Sequence, residues 1–312
     1  MSHVKESRAK VFLAELRQSY LPGKKDNVKQ IFMKIFFLAA LFTLIVSAGY
    51  LTHYFLSARK QNNIVKQSRQ LWHSASEQPS DDKPDSALIQ AMLEENGDFK
   101  AWLTVPGTEI DNPVYQAKDN QFYLTHNQKK QKAAGGALFF GAENVITEDQ
   151  TDKNLLIYGH KMKNGTMFGT LERLRELPFY QEHPTFTLST LYHTGTYKIY
   201  AVFLLNAEKA DDDGHIYNIA RKSFFNIDDF DSWVAEATER SLLHTGVDVQ
   251  MTDNIITLVT CAYDFNNARL VVMARETRQG ESEQTDTSAA TVNPSPRYPK
   301  RWYDDRGIDF PF

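Results

Sequence analysis

Three residues of different chemistry each stand at the end of an apolar run. Cys261, the only cysteine, closes Thr257-Leu-Val-Thr-Cys261, and His160 closes Asn154-Leu-Leu-Ile-Tyr-Gly-His160. Arg269, eight residues beyond the cysteine, opens Arg269-Leu-Val-Val-Met-Ala-Arg275. A lone cysteine is commonly a small buried hydrophobe, and its neighbours here argue for chemistry instead. A thiol with its usual pKa of about 8.5 is mostly protonated at neutral pH, so a cysteine nucleophile needs an imidazole or a cation nearby. Attack on an amide carbonyl then creates an oxyanion that needs a donor. Arginine suits that role and cannot serve as the base, because guanidinium keeps its proton at any ordinary pH.

Spacing places the arginine. If residues 254–260 and 269–275 pair as an antiparallel hairpin, the seven-residue loop Ala262 to Ala268 brings Arg269 beside Cys261. His160 lies far upstream, and only the fold can bring it near. Of the nine histidines, His3, His53 and His73 fall in the N-terminal tail, the apolar segment and the stretch after it, and His126, His183, His193, His215 and His244 fall in polar, turn-like surroundings. None of these five has zinc-ligand spacing, and a single cysteine excludes both a Cys-rich zinc site and an intramolecular disulfide. The histidine also precedes the cysteine, the reverse of papain-like proteases. A formal charge of -4, with no basic residues interleaved among aromatics, disfavours nucleic acid as a partner. No metal or cofactor is expected.

The elements that would position these residues are mostly short apolar runs broken by Gly, Pro, Asn and Asp. They cover 101–105, 137–140, 155–158, 185–188, 197–205, 255–259 and 270–273, which predicts seven or eight strands. Helical patterns are few: 87–95, Gly169 to Glu176, and Ile227 to Ser241, entered by Asp228-Asp229 and carrying Phe230, Trp233 and Val234 on one side. That distribution favours a mainly β barrel or sandwich with inserted helices over an alternating βαβ sheet.

The chain divides into parts. Residues 1–34 read as a basic cytoplasmic tail and residues 35–57, without a formal charge, as one transmembrane anchor. At about 1.5 Å per residue the segment reaches roughly 35 Å, enough for a hydrocarbon core of about 30 Å. It begins too late and runs too long for a signal-peptide core. Residues 58–86 read as stalk and linker, with 74–86 carrying two prolines and no large apolar residue. A catalytic domain is expected over 87–278, and an unstructured tail over 279–312, whose Trp302, Tyr303, Phe310 and Phe312 read as incidental aromatics, with docking on another surface as the alternative.

The chain resembles the sortases, membrane-anchored cysteine transpeptidases of Gram-positive bacteria, and most of all class B. The likeness rests on Tyr158-Gly-His160, Thr257-Leu-Val-Thr-Cys261 and Arg269, and extends to Ala101-Trp-Leu-Thr-Val-Pro-Gly-Thr-Glu-Ile-Asp-Asn-Pro-Val114, Lys118-Asp-Asn-Gln-Phe-Tyr-Leu124 and Asn164-Gly-Thr-Met-Phe168. It spans residues 87 to 277. The resemblance implies a closed eight-stranded sortase barrel with an N-terminal helix and a long helix before the nucleophile strand, which 227–241 matches. It further implies that Cys261 is nucleophile, His160 general acid and base, and Arg269 the substrate and oxyanion holder, with Asn120 and Thr260 as candidate substrate-binding residues.

The implied reaction cleaves a C-terminal sorting motif, of an Asn-Pro-x-Thr type in class B, and passes the acyl group to an amine. The donor would be a surface protein. The acceptor would be a peptidoglycan precursor or, alternatively, a pilin lysine. Val259 stands where class B commonly has serine, and valine is more typical of the pilin-polymerising class C. The implied location is the cell membrane, single-pass, with the N-terminus cytoplasmic and the catalytic domain outside. A membrane-tethered binding module that keeps the barrel without catalysis, and a Cys/His hydrolase of unrelated fold, are the competing classes.

Overall fold

Strands that are covered on both faces must be apolar on both faces, and the runs around Cys261 obey this rule. In the computed structural model, which describes residues 15–75, 85–208 and 214–312, eight strands close into one barrel in the order β1-β2-β3-β4-β8-β9-β6-β5. They are β1 (Phe99–Thr104), β2 (Asp111–Tyr115), β3 (Leu138–Phe140), β4 (Asn154–Tyr158), β5 (Thr185–Thr190), β6 (Thr194–Asn206), β8 (Ile255–Cys261) and β9 (Ala268–Glu276). Strand β8 lies between β4, to which it is parallel, and β9, to which it is antiparallel. The mainly β expectation and the barrel both hold.

Alternate residues of these strands point inward. Leu155 and Ile157 of β4, Ile256 and Leu258 of β8, and Leu270, Val272 and Ala274 of β9 share the barrel core with Leu171 and Leu174 of a 3-10 turn. Full burial of one such aliphatic contributes about 1.5–3 kcal/mol. The outward residues Val271 and Met273 are covered in turn by an α-helix, Ile227–Arg240, through Phe230, Trp233 and Ala237. That helix starts where Asn226 accepts a hydrogen bond from the Asp229 N–H, an N-cap reinforced by two first-turn acids. It matches the expected long helix closely.

Strand β2 was not among the expected runs, because Pro113 interrupts it. Proline lacks the N–H that a central strand donates. The structure avoids this penalty by pairing β2 with β3 only from Val114 onward, while Pro113 faces Trp102 of β1.

The chain forms two units, Met1–Lys60 and Gln61–Phe312. In the first, helix α1 (Val28–Ala75) is long and apolar enough to cross a membrane, with a mean hydropathy of 2.3 over its most apolar window. Its Phe32, Ile35, Phe36, Phe42 and Leu44 lie uncovered, unlike those of a core helix. In the second unit, residues 61–75 of the same helix are part of the packed domain rather than a free stalk. Trp72 stacks on Trp102 with ring centroids 4.8 Å apart, and Arg69 donates to the carbonyls of Asp111 and Glu109. The compact domain therefore starts at Gln61 and not near Ala87, since Ile64, Val65 and Trp72, sparse among polar residues, are buried. Of the expected linker, residues 76–84 lie outside the described residues.

The expectation of an unstructured 279–312 tail needs correction too. Thr291–Val292 forms β10, paired with β7 (Leu243–His244), and Asn293 Nδ2 donates to the Ser241 carbonyl at 2.7 Å. Ala290 joins the barrel core, and Tyr298 and Trp302, stacked 4.0 Å apart, pack against it. Polar composition up to residue 289 concealed the apolar anchors that follow.

Candidate active site

The ends of β4, β8 and β9 bring the three chemical residues together. Strands β4 and β8 run in parallel register from Asn154 beside Ile255 to Tyr158 beside Val259. The Gly159 N–H donates to the Val259 carbonyl at 3.1 Å, and the Thr260 hydroxyl donates to the Gly159 carbonyl at 2.7 Å across 101 residues of sequence. Extended past the end of β4, the same offset would bring His160 level with Cys261. On the other side Cys261 pairs directly with Arg269. Because residues alternate faces, and Leu258, Ile157 and Leu270 point into the core, the three side chains share the outer face.

Glycine at 159 is required by close packing. A Cβ there would lie 2.4 Å from Leu138 Cδ2 and 2.7 Å from Phe168 Cδ2. Its neighbour His160 is half-buried and accepts the Phe168 N–H on its carbonyl at 3.0 Å. The His160 ring nitrogen Nε2 sits 2.8 Å from the Leu124 carbonyl. A carbonyl can only accept, so Nε2 carries the proton and Nδ1 is the nitrogen left to exchange one. Leu124 belongs to a short turn of helix, Phe122–Thr125, which is pinned where the Ala137 N–H donates to the Tyr123 carbonyl at 2.9 Å. Next to the site, burial and then the charge of Glu143 push the Tyr158 hydroxyl up to about 12, so it stays protonated through the physiological range.

Cys261 is partly exposed and its thiol is free. The Arg269 Nη1 donates only to backbone carbonyls, of Ala268 at 3.0 Å and Asn267 at 3.3 Å. Among the described residues no carboxylate lies within ion-pair distance of it. Such an arrangement can supply a nucleophile, a proton carrier and an uncommitted cation at one sheet end.

The two candidate substrate contacts fare differently from these three. Thr260 is only 2% exposed and its hydroxyl is spent on Gly159, so it registers the two strands instead of facing a ligand. Asn120 donates to Glu143 Oε2 at 3.1 Å and accepts the Ala142 N–H at 2.7 Å, which ties its loop to the turn after β3. The Leu124 carbonyl escaped the sequence reading because a backbone acceptor leaves no mark on residue type.

Comparison with known proteins bears on the family. The Sortase domain family model matches residues 103–277. Sortase B of Listeria monocytogenes is 36% identical over 182 residues, covering 58% of this chain and 70% of that protein. Sortase B of Staphylococcus aureus is 28% identical over 189 residues, covering 60% and 73%. Among solved structures, a mutant form of Clostridium perfringens sortase B aligns with a TM-score of 0.60 and 33% identity, covering 71% of this chain and 98% of that one. With a family match across the barrel and relatives that are sortase B enzymes, the chain belongs to the sortase family of transpeptidases and is of the class B type.

Proposed function

We propose that the chain is a sortase that cleaves a C-terminal sorting motif through a thioacyl-enzyme on Cys261 and passes the acyl group to an amine of a peptidoglycan precursor. The observation that carries this reading is the placement of His160, Cys261 and Arg269 on one face at three adjacent strand ends. Cys261 passes its thiol proton to His160 Nδ1 and its sulfur attacks the scissile carbonyl carbon, while Arg269 donates to the oxygen as it gains charge. Collapse breaks the C–N bond, and His160 gives its proton to the leaving amine. An incoming amine then attacks the thioester, His160 takes up the proton it sheds, and Cys261 leaves as thiolate.

Incubating the chain with Asn-Pro-x-Thr-type peptides and a panel of amines, with products identified by mass spectrometry, tests both steps. Cys261→Ala should abolish the thioacyl adduct, and retained cleavage would remove the assignment. The panel also separates acceptors. Val259, on the same outer face two residues before the nucleophile, supports keeping a pilin lysine among them.

The uncovered apolar residues of α1 support a membrane anchor, with the basic N-terminus in the cytoplasm and the barrel outside. Protease added to intact protoplasts should digest the barrel. Full protection would reverse the orientation.

A further inference from the structure

Strand pairing holds His160 and Cys261 only up to the ends of their strands, and each is followed by a loop. Both loops reach the same short 3-10 helix, Leu171–Arg175. In a 3-10 helix side chains three apart eclipse one another. Leu171 and Leu174 accordingly share one side, buried in the barrel core, and Glu172 and Arg175 share another. Arg175 donates through Nη2 and Nη1 to the two carboxylate oxygens of Asp264, at 2.8 and 3.1 Å. Asp264 lies three residues beyond Cys261. Glu172 accepts from Lys161 Nζ, the residue directly after His160, and that same ammonium sits 4.8 Å from the ring centroid of Tyr263, two residues beyond Cys261.

We propose that Glu172 and Arg175 are positioning residues that clamp the loop after Cys261 to the loop after His160 and so set the geometry between thiol and imidazole. This rests on the catalytic reading of those two residues. Arg175 and Asp264 are 28% and 19% exposed, and pairs at such an edge contribute little to global stability. Misplacing a reacting group by about 1 Å, by contrast, can cost about 100-fold in rate. The clamp should therefore be read in turnover and not in melting.

The test uses the full chain in detergent micelles, an Asn-Pro-x-Thr-type peptide and hydroxylamine as the acyl acceptor. Arg175→Ala should lower kcat by about 10- to 100-fold with KM held within about twofold and Tm unchanged. Adding Asp264→Ala should cost no more than the single change, and exchanging the charges with Arg175→Asp and Asp264→Arg should recover part of the loss. An unchanged kcat, a loss carried by KM, or a loss that follows Tm would overturn the proposal. If the unaltered chain forms no product with the peptide, the catalytic reading fails, and the clamp is judged by the pH profile of Cys261 alkylation with iodoacetamide. That profile should move in Arg175→Ala; if it stays in place, the clamp has no hold on the thiol.

Discussion

Arg269 and Arg275 occupy opposite ends of strand β9 and are held in opposite ways. Arg275 is 2% exposed and bonds to Glu281 through two nitrogens, at 2.6 and 2.8 Å, and to Asp248 at 3.2 Å. Around it Arg278 pairs with Asp248 and Asp253, and Lys198 with Glu281. Arg269, beside Cys261, donates only to backbone carbonyls and meets no carboxylate among the described residues. A buried guanidinium held by several acids is committed to structure, because removing any partner strands a charge. One held by carbonyls alone keeps its charge available for an anion that arrives later. The two ends of one strand thus separate an arginine committed to structure from one that no described carboxylate claims, as its proposed role at the oxyanion requires.

The sharpest way to break this contrast is to truncate both. Arg269→Ala should lower kcat by about 100- to 1000-fold, the effect of losing one oxyanion donor, with little change in Tm. Arg275→Ala should cost about 3–5 kcal/mol in denaturant unfolding while the fraction that remains folded turns over normally. A large stability loss for Arg269, or a specific rate loss for Arg275, would dissolve the distinction.

Gly159→Ala tests the packing beneath the catalytic end. The new methyl would press on Leu138 and Phe168, so an overpacking cost of about 1–3 kcal/mol is expected, and chemical denaturation measures it. Thr260→Val should be milder. It removes one hydrogen bond, the donor to the Gly159 carbonyl, at about 0.5–1.5 kcal/mol, and should lower kcat more than it raises KM.

The smallest expected effect concerns pH at the far end of β9. Hydrogen bonding from Arg275, and then from Lys198 and the Arg278 N–H, holds the Glu281 carboxyl well below its usual range. A group depressed in the folded state gives stability above its unfolded pKa of about 4.3 and loses it as pH falls toward the folded value. Acid unfolding scans should show stability declining below about pH 4, and Glu281→Gln should flatten that limb. An identical slope in the variant would show that Glu281 is not the group responsible.

Much of the candidate site was legible because its signals are local. The hairpin that pairs Cys261 with Arg269 spans one short loop, and apolar runs on both sides mark strands buried on both faces. The helix at Ile227–Arg240 carried its own cap and first-turn acids. Legibility failed where a partner is distant or lacks a side-chain signature. Proline hid β2, polar neighbours hid the docking of residues 61–75, and the low-complexity start of the tail hid Ala290, Tyr298 and Trp302.

Sequence alone therefore determined which three residues are candidates for the proposed chemistry, and that each stands at or just beyond a strand end, because residue type and alternation are properties of short segments. Only the tertiary structure decided that β4 lies parallel to β8, with a register that sets His160 level with Cys261. It also supplied the Leu124 carbonyl that selects the histidine tautomer, and the 3-10 helix that grips both loops. The physical reason is that long-range register comes from closing the barrel around its core, which no stretch of sequence contains by itself.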